Sequence, residues 1–186
     1  MRRILTICTV ISLLCGCNSA SKIDDVAMSL RESILSSNGV SFCATITADY
    51  EDVLYTFELE CVEDQQGSIS FTVKEPNSIS GITGLISENQ YALSFDDKIL
   101  AFPPLADDQL TPVIAPYLFM NGLRGGYISA CAREGDGYSV VVDDTFQETP
   151  LQLYIVMNDN GIPYYAEIIY ANLRILSLDI ENFAIL

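Results

Sequence analysis

The chain contains no histidine and no tryptophan. Without histidine there is no Ser-His-Asp triad, no Cys-His pair and no imidazole ligand for a metal. Basic residues are scarce: nine Lys and Arg stand against 25 Asp and Glu, a net charge of −16 at pH 7. A protein that holds nucleic acid needs a basic face to displace counterions, so this balance argues against nucleic acid. It argues equally against electrostatic docking on anionic lipid head groups, and leaves room for a basic protein partner. GxSxG, SxxK, phosphate-loop and dinucleotide fingerprints are absent, as is a CxxC redox pair. No catalytic residue, metal ligand set or cofactor is expected, and the chain should act by binding. The N-terminal apolar run is only about a dozen residues long, short of the roughly 20 that a spanning helix needs.

What is present begins at that run. Arg2 and Arg3 precede residues 4–14, which are almost wholly apolar, and Gly16 follows. A positive start, a short apolar core and a small residue before a cut are the parts of a secretory signal. Leu14-Cys15-Gly16-Cys17 resembles the lipobox of bacterial lipoproteins, although Cys15 stands where Ala, Ser or Thr is more usual. The resemblance implies a diacylglyceryl group on the Cys17 sulfur, cleavage before Cys17, and residence on the extracytoplasmic face of the cell membrane. An ordinary signal peptide cut nearby is the alternative. Two fatty chains anchor stably where one does not. Residues 1–16 are then the signal peptide, 17–22 the lipidated Cys and its tether, and 23–186 a single domain. A tether of five residues reaches about 17 Å, so the domain should sit close to the membrane. Loss of the signal removes two arginines and leaves a net charge of −18.

Residues 23–36 show helical periodicity: Ile23, Val26, Ala27, Leu30 and Ile34 share one face, Asp24 and Asp25 lie in the first turn, and Asn38-Gly39 ends it. From residue 40 the period becomes two. Strands are expected over 40–49, 53–62, 68–74, 79–87, 91–95 with 98–102, then 126–133, 138–143, 151–157, 164–170 and 173–183. Turn-forming stretches such as Gln65-Gln66-Gly67, Asp96-Asp97 and Asn158-Asp159-Asn160-Gly161 separate them, which makes consecutive strands antiparallel neighbours. Residues 111–122 interrupt the series with an apolar helix. Thr111 is placed to cap it, Pro112 suits its first position, and Pro116 should kink or delay it. So apolar a helix must be buried or must cover an apolar surface. A meander this long must curl or split.

Beyond Cys17, three of the cysteines fall within the domain: Cys43, Cys61 and Cys131. Alternation puts Cys43 with Thr45 and Thr47, but Cys61 with Tyr55, Phe57 and Leu59. A cross-strand bridge needs both on one face, so buried or half-buried thiols without that disulfide are expected. The acid pairs Asp24-Asp25, Glu51-Asp52, Asp96-Asp97, Asp107-Asp108 and Asp143-Asp144 could hold calcium or do acid–base work. They fall at turns, strand ends and a helix start, without EF-hand spacing, and read as solvated acids.

The apolar set is the strongest feature. Phe42, Ala44 and Ile46 share a face of one strand, Phe57 and Leu59 of the next, then Ile69, Phe71 and Val73, then Leu93 and Phe95. Val113, Tyr117 and Leu118 of the helix could close over them. A filled core and an open cavity for acyl chains want the same residues, and both readings stand at this point.

The order of elements, with the stretches ISFTVKEPNSISGITG (69–84) and MNDNGIPYYAEIIY (157–170), resembles the LolA/LolB/LppX superfamily. That resemblance implies a mainly β (α+β) fold: a curved antiparallel half-barrel of about ten strands, with an N-terminal helix and the mid-chain apolar helix as lid. It implies binding of a lipid or acyl chain by Phe42, Ile46, Phe57, Leu59, Phe71, Leu93, Phe95, Val113, Tyr117 and Leu118. AFPPLADDQLTPVIAPYL (101–118) is similar to lipoproteins of clostridia and their relatives, a group that includes the germination lipoproteins of spores. This second resemblance implies a non-enzymatic module supporting a cell-envelope or spore-cortex enzyme. LolA itself carries no lipid anchor, so the anchored reading departs from it.

Overall fold

The computed structural model describes residues 20–50, 53–106, 109–144 and 151–186. Helix α1 (Ala20–Ser36) leads into β1 (Gly39–Tyr50), β2 (Val53–Asp64), β3 (Ile69–Glu75), β4 (Thr83–Ser87), β5 (Gln90–Phe95) and β6 (Lys98–Ala101). A two-stranded ribbon follows, β7 (Leu105–Ala106) with β8 (Gln109–Leu110), then a 3-10 turn (Pro112–Ile114) and helix α2 (Ala115–Gly125). The chain ends with β9 (Tyr127–Glu134), β10 (Gly137–Asp144), β11 (Leu151–Met157), β12 (Pro163–Tyr170) and β13 (Leu173–Ile185).

Eleven strands form one antiparallel sheet in the order β6-β5-β4-β3-β2-β1-β13-β12-β11-β10-β9. Two meanders thus meet at the centre, where β1 pairs with β13 from Val40↔Ile185 to Ala48↔Leu176. The connection from β6 to β9 must pass from one edge of the sheet to the other. It does so across the concave face, and this is why α2 packs on β13, β12 and β10. Register irregularities at Ser41/Cys43, Glu58/Leu59, Val141/Val142, Val156/Met157 and Ile168/Ile169 add bend and twist. The sheet curls into an open half-barrel, in agreement with the expected fold class.

Alternation fills the concave side. Val40, Phe42, Ala44, Ile46 and Ala48 of β1 are buried, as are Leu176, Leu178 and Ile180 of β13 and Leu151, Leu153, Ile155 and Met157 of β11. The 3-10 turn adds Ile114, and α2 adds Ala115, Phe119, Met120 and Leu123, to the same core. Two glycines permit the closest approaches. A Cβ at Gly84 would collide with the Phe71 ring, and one at Gly122 with Leu153 Cδ1, so α2 lies directly on β11.

Several sequence expectations are corrected. Helix α1 begins at Ala20 rather than Ile23, so residues 20–22 of the expected tether are helical and Asp24-Asp25 fall past the first turn. The strand expected over 79–87 is confined to Thr83–Ser87. Before it the chain folds back in turns, with Ile79 N donating to Pro76 O, Gly81 N to Val73 O, and Gly81 at φ +87°. Thr111 does not cap the helix; its hydroxyl donates to Pro103 O at 2.9 Å. Pro116 delays the α-helix to Ala115–Gly125, behind the 3-10 turn. The β7–β8 ribbon was not foreseen. The cysteine reading holds: Cys61 is buried opposite Phe42, Cys43 lies opposite Glu60 on the other face, and no disulfide joins them.

Candidate functional site

The concave face and its helical cover bring the expected binding residues together. Phe42, Ile46, Leu59 and Phe71 are buried at its centre. Phe57, Leu93, Val113, Tyr117 and Leu118 are half-buried and pack against that core. Phe95 stands at the margin, 58% exposed. The centre is thus filled, and cover thins toward β6.

Aromatic contacts define three zones. Phe42 meets Phe119 at 5.8 Å between centroids and Phe183 at 6.0 Å, closing the α1 end. Tyr91 meets Tyr117 at 6.3 Å and Phe102 at 6.0 Å, which pins the start of α2 to β5. At the β1–β2 end Tyr55 packs 6.3 Å from both Tyr50 and Phe57. The Tyr50 hydroxyl donates to Leu110 O, and burial pushes its pKa up to about 12. Beyond Tyr91 the inner row continues through Leu93 to Leu100, its partner on β6, which is 66% exposed.

The far end of α2 is held by charge. Arg31 of α1 donates from Nε to Leu123 O at 2.7 Å and from Nη2 to Gly126 O at 2.7 Å and Gly122 O at 3.2 Å. Leu123 O is one of the carbonyls a helix C-terminus leaves without an intrahelical partner, Gly122 O also accepts from Gly126 N, and Gly126 O lies just beyond the helix; a cation there also meets the helix dipole. Arg124 donates to Gln65 O at 3.0 Å and stands 3.5 Å from the carboxylate of Glu63. Glu63 is 1% exposed, and neither carboxylate oxygen accepts a hydrogen bond. Burial pushes its pKa up to about 7, and Arg124 opposes only part of that rise. Sequence reasoning missed this pair, though a signal existed: Phe57, Leu59, Cys61 and Glu63 form one alternating set, so a carboxylate sits in an apolar register. Arg31 gave a similar signal between Ala27, Leu30 and Ile34.

Several hollows adjoin these elements. A groove of about 190 Å³ separates Leu118, Asn121 and Gly122 from Val142, Leu151 and Leu153. That is below the roughly 300–1,000 Å³ of a preformed ligand pocket. An open groove of about 550 Å³ lies between α1 and the β11–β12 turn, with Val26, Leu30, Ile162 and Phe183 beside Asp25 and Asp159. A third, of about 480 Å³, lies on the convex face between Val62, Leu85, Ala92 and Ile99.

Asp96 and Asp97 form an exposed turn with φ of +50° and +59°. Asp143 Oδ1 accepts from Gln152 Nε2 at 2.7 Å. Glu51-Asp52 and Asp107-Asp108 lie outside the described residues, as do Cys17 and the signal segment 1–16. Among the described residues no three His, Cys, Asp or Glu side chains gather as a metal site, and no helix is long and apolar enough to cross a membrane.

The protein is therefore a curved antiparallel sheet covered on its concave side by the apolar helix α2. Solved structures of similar course include a LolA superfamily protein of Nitrosomonas europaea, at 12% identity and a TM-score of 0.43, covering 86% of this chain and 93% of that one. A putative outer membrane lipoprotein-sorting protein domain of Vibrio parahaemolyticus matches at 8% identity and 0.47, over 90% and 93%. A chain in the structure of the CwlD amidase from Clostridioides difficile in complex with the GerS lipoprotein matches at 10% and 0.44, over 87% and 94%. No family model and no curated protein matches the sequence.

Proposed function

We propose that this is a lipoprotein held by Cys17 on the extracytoplasmic face of the membrane, with 1–16 removed as signal, and that its domain (23–186) binds a lipid or acyl chain. The chain would lie between α2 and the β3–β6 part of the concave face. One observation carries this reading: the inner apolar row does not end where α2 stops covering it, but runs on through Leu93 to the exposed Phe95 and Leu100. An apolar surface continuous from core to solvent is a ready track for a hydrocarbon chain. The anchor is tested by fatty-acid labelling, where a Cys17→Ser protein that still takes label refutes it. The ligand is tested by native mass spectrometry of residues 18–186, purified without detergent. A discrete added mass, lost on denaturation, is the expected result.

A second reading has its own support. Phe42, Ile46 and Leu59 are already buried in one core cluster with Phe119 and Met120, as in an ordinary core. A rigid domain of that kind suits a non-enzymatic module that docks an envelope or spore-cortex enzyme. A clean apo mass that persists after incubation with membrane lipids favours it over the first.

A further inference from the structure

We propose that the free edge of β6 is a docking strand for an extended segment of a second protein, apolar at alternate positions and flanked by Lys or Arg. The site differs from the concave-face track, because its side-chain contacts lie on the convex face and its polar contacts lie along the edge of the sheet.

The backbone supplies the first observation. Phe102 N donates to Tyr91 O at 3.1 Å, so Tyr91 and Phe102 face each other as a hydrogen-bonded pair. In an antiparallel ladder such pairs alternate. Leu93/Leu100 and Phe95/Lys98 are then the next bonded pairs in the register, and Ser94/Ile99 and Ala92/Ala101 are the unbonded ones. Ile99 and Ala101 therefore turn their N–H and C=O groups away from β5. No described strand pairs with β6 on that side.

Side chains supply the second. Ile99 is 77% exposed and lies at the end of the convex groove lined by Val62, Leu85 and Ala92. Sheet edges are commonly blunted by brevity, by Lys or by a covering element. The other edge, β9, has α1 packed against it. Edge β6 has only its four-residue length and Lys98, which limit indiscriminate pairing but do not account for an exposed Ile beside an apolar groove.

Charge selects the occupant. Asp96 and Asp97 stand exposed at the turn that opens β6; Glu60, which also lines the groove, is already paired with Lys74, so the turn acids carry the selection. With a net charge of −16, two copies of this chain would repel, as would an anionic bilayer. A strand with Lys or Arg opposite Asp96-Asp97 gains ladder hydrogen bonds, apolar contact with Ile99 and opposite charge together.

The test uses the full chain in nanodiscs and a labelled heptapeptide alternating Lys with Val and Ile. Anisotropy should show saturable binding, and the amides of Ile99 and Ala101 should exchange more slowly in the complex. Ala101→Pro deletes an N–H that β5 does not use, and edge strands tolerate Pro. It should weaken binding at least tenfold, as should Ile99→Asp. If Ala101→Pro fails to fold, Ile99→Asp and the exchange data decide. Absence of binding overturns the proposal. So does binding unaffected by either folded variant, equal binding of a Glu-containing counterpart, or self-association through β6. Peptide binding with unchanged exchange at Ile99 and Ala101 also overturns it.

Discussion

Replacing Glu63 by Gln should make the protein more stable at alkaline pH and leave it nearly unchanged at acid pH. The carboxylate is 1% exposed, accepts no hydrogen bond and has one cation 3.5 Å away. Its pKa rises from 4.5 to about 7 on folding, chiefly through burial. A carboxyl raised in the native state binds its proton more tightly there than in the unfolded chain. Its ionisation therefore costs nothing below the unfolded value and costs most above the folded one, so stability falls as pH rises through the window from 4.5 to about 7. With these two values the cost is about 3 kcal/mol at pH 8 and under about 1 kcal/mol at pH 5. Gln resembles the protonated acid in shape and charge. Urea unfolding of both proteins across pH 5 to 8 should show the Gln variant gaining about 2–3 kcal/mol over the parent between those limits. A difference independent of pH, or a Gln variant less stable at pH 8, would refute the reasoning.

Gly122→Ala should destabilise by about 1–3 kcal/mol, because its methyl meets Leu153 Cδ1, and a double-mutant cycle with Leu153→Ala should show the two costs to be less than additive in denaturant melts. Arg31→Met keeps the side-chain stem but removes its hydrogen bonds to the carbonyls of Gly122, Leu123 and Gly126. It should cost about 1–3 kcal/mol and raise amide exchange in α2 far more than in β1, as read by hydrogen exchange. An alkylating reagent should label half-exposed Cys43 well before buried Cys61, whose thiol is further pushed up by desolvation; peptide mass mapping of the native protein checks this.

Strand positions were legible because a half-buried strand writes its alternation directly into sequence, as β1 does from Val40 to Ala48. The opposite facing of Cys43 and Cys61 followed from the same period. Pairing of β1 with β13 was not legible, since alternation says which face a residue takes and not which distant strand lies beside it. The cover on the concave face was half legible. The apolar character of residues 111–122 required burial, but the depth of Phe119 and Met120 depends on Gly122 resting against Leu153, a contact between distant segments. Whether Phe42 and Leu59 line a space or fill it turns on the same contact. Helix α1 starts before its apolar stripe does, so periodicity placed its beginning too late.

The junction of β1 with β13 also sets a timetable. β1 occupies the middle of the sheet, yet one of its two neighbours emerges from synthesis only after β2 to β12. Until then β1 can zip to β2 but leaves its other side bare, from Val40 to Ala48. That side belongs to one of the most apolar strands of the molecule. Proteins dominated by such distant pairings fold slowly and are most prone to aggregate while incomplete. The nascent chain therefore carries its largest hazard between the birth of its first strand and the arrival of its last, and removal of β13 should leave a sticky half-sheet.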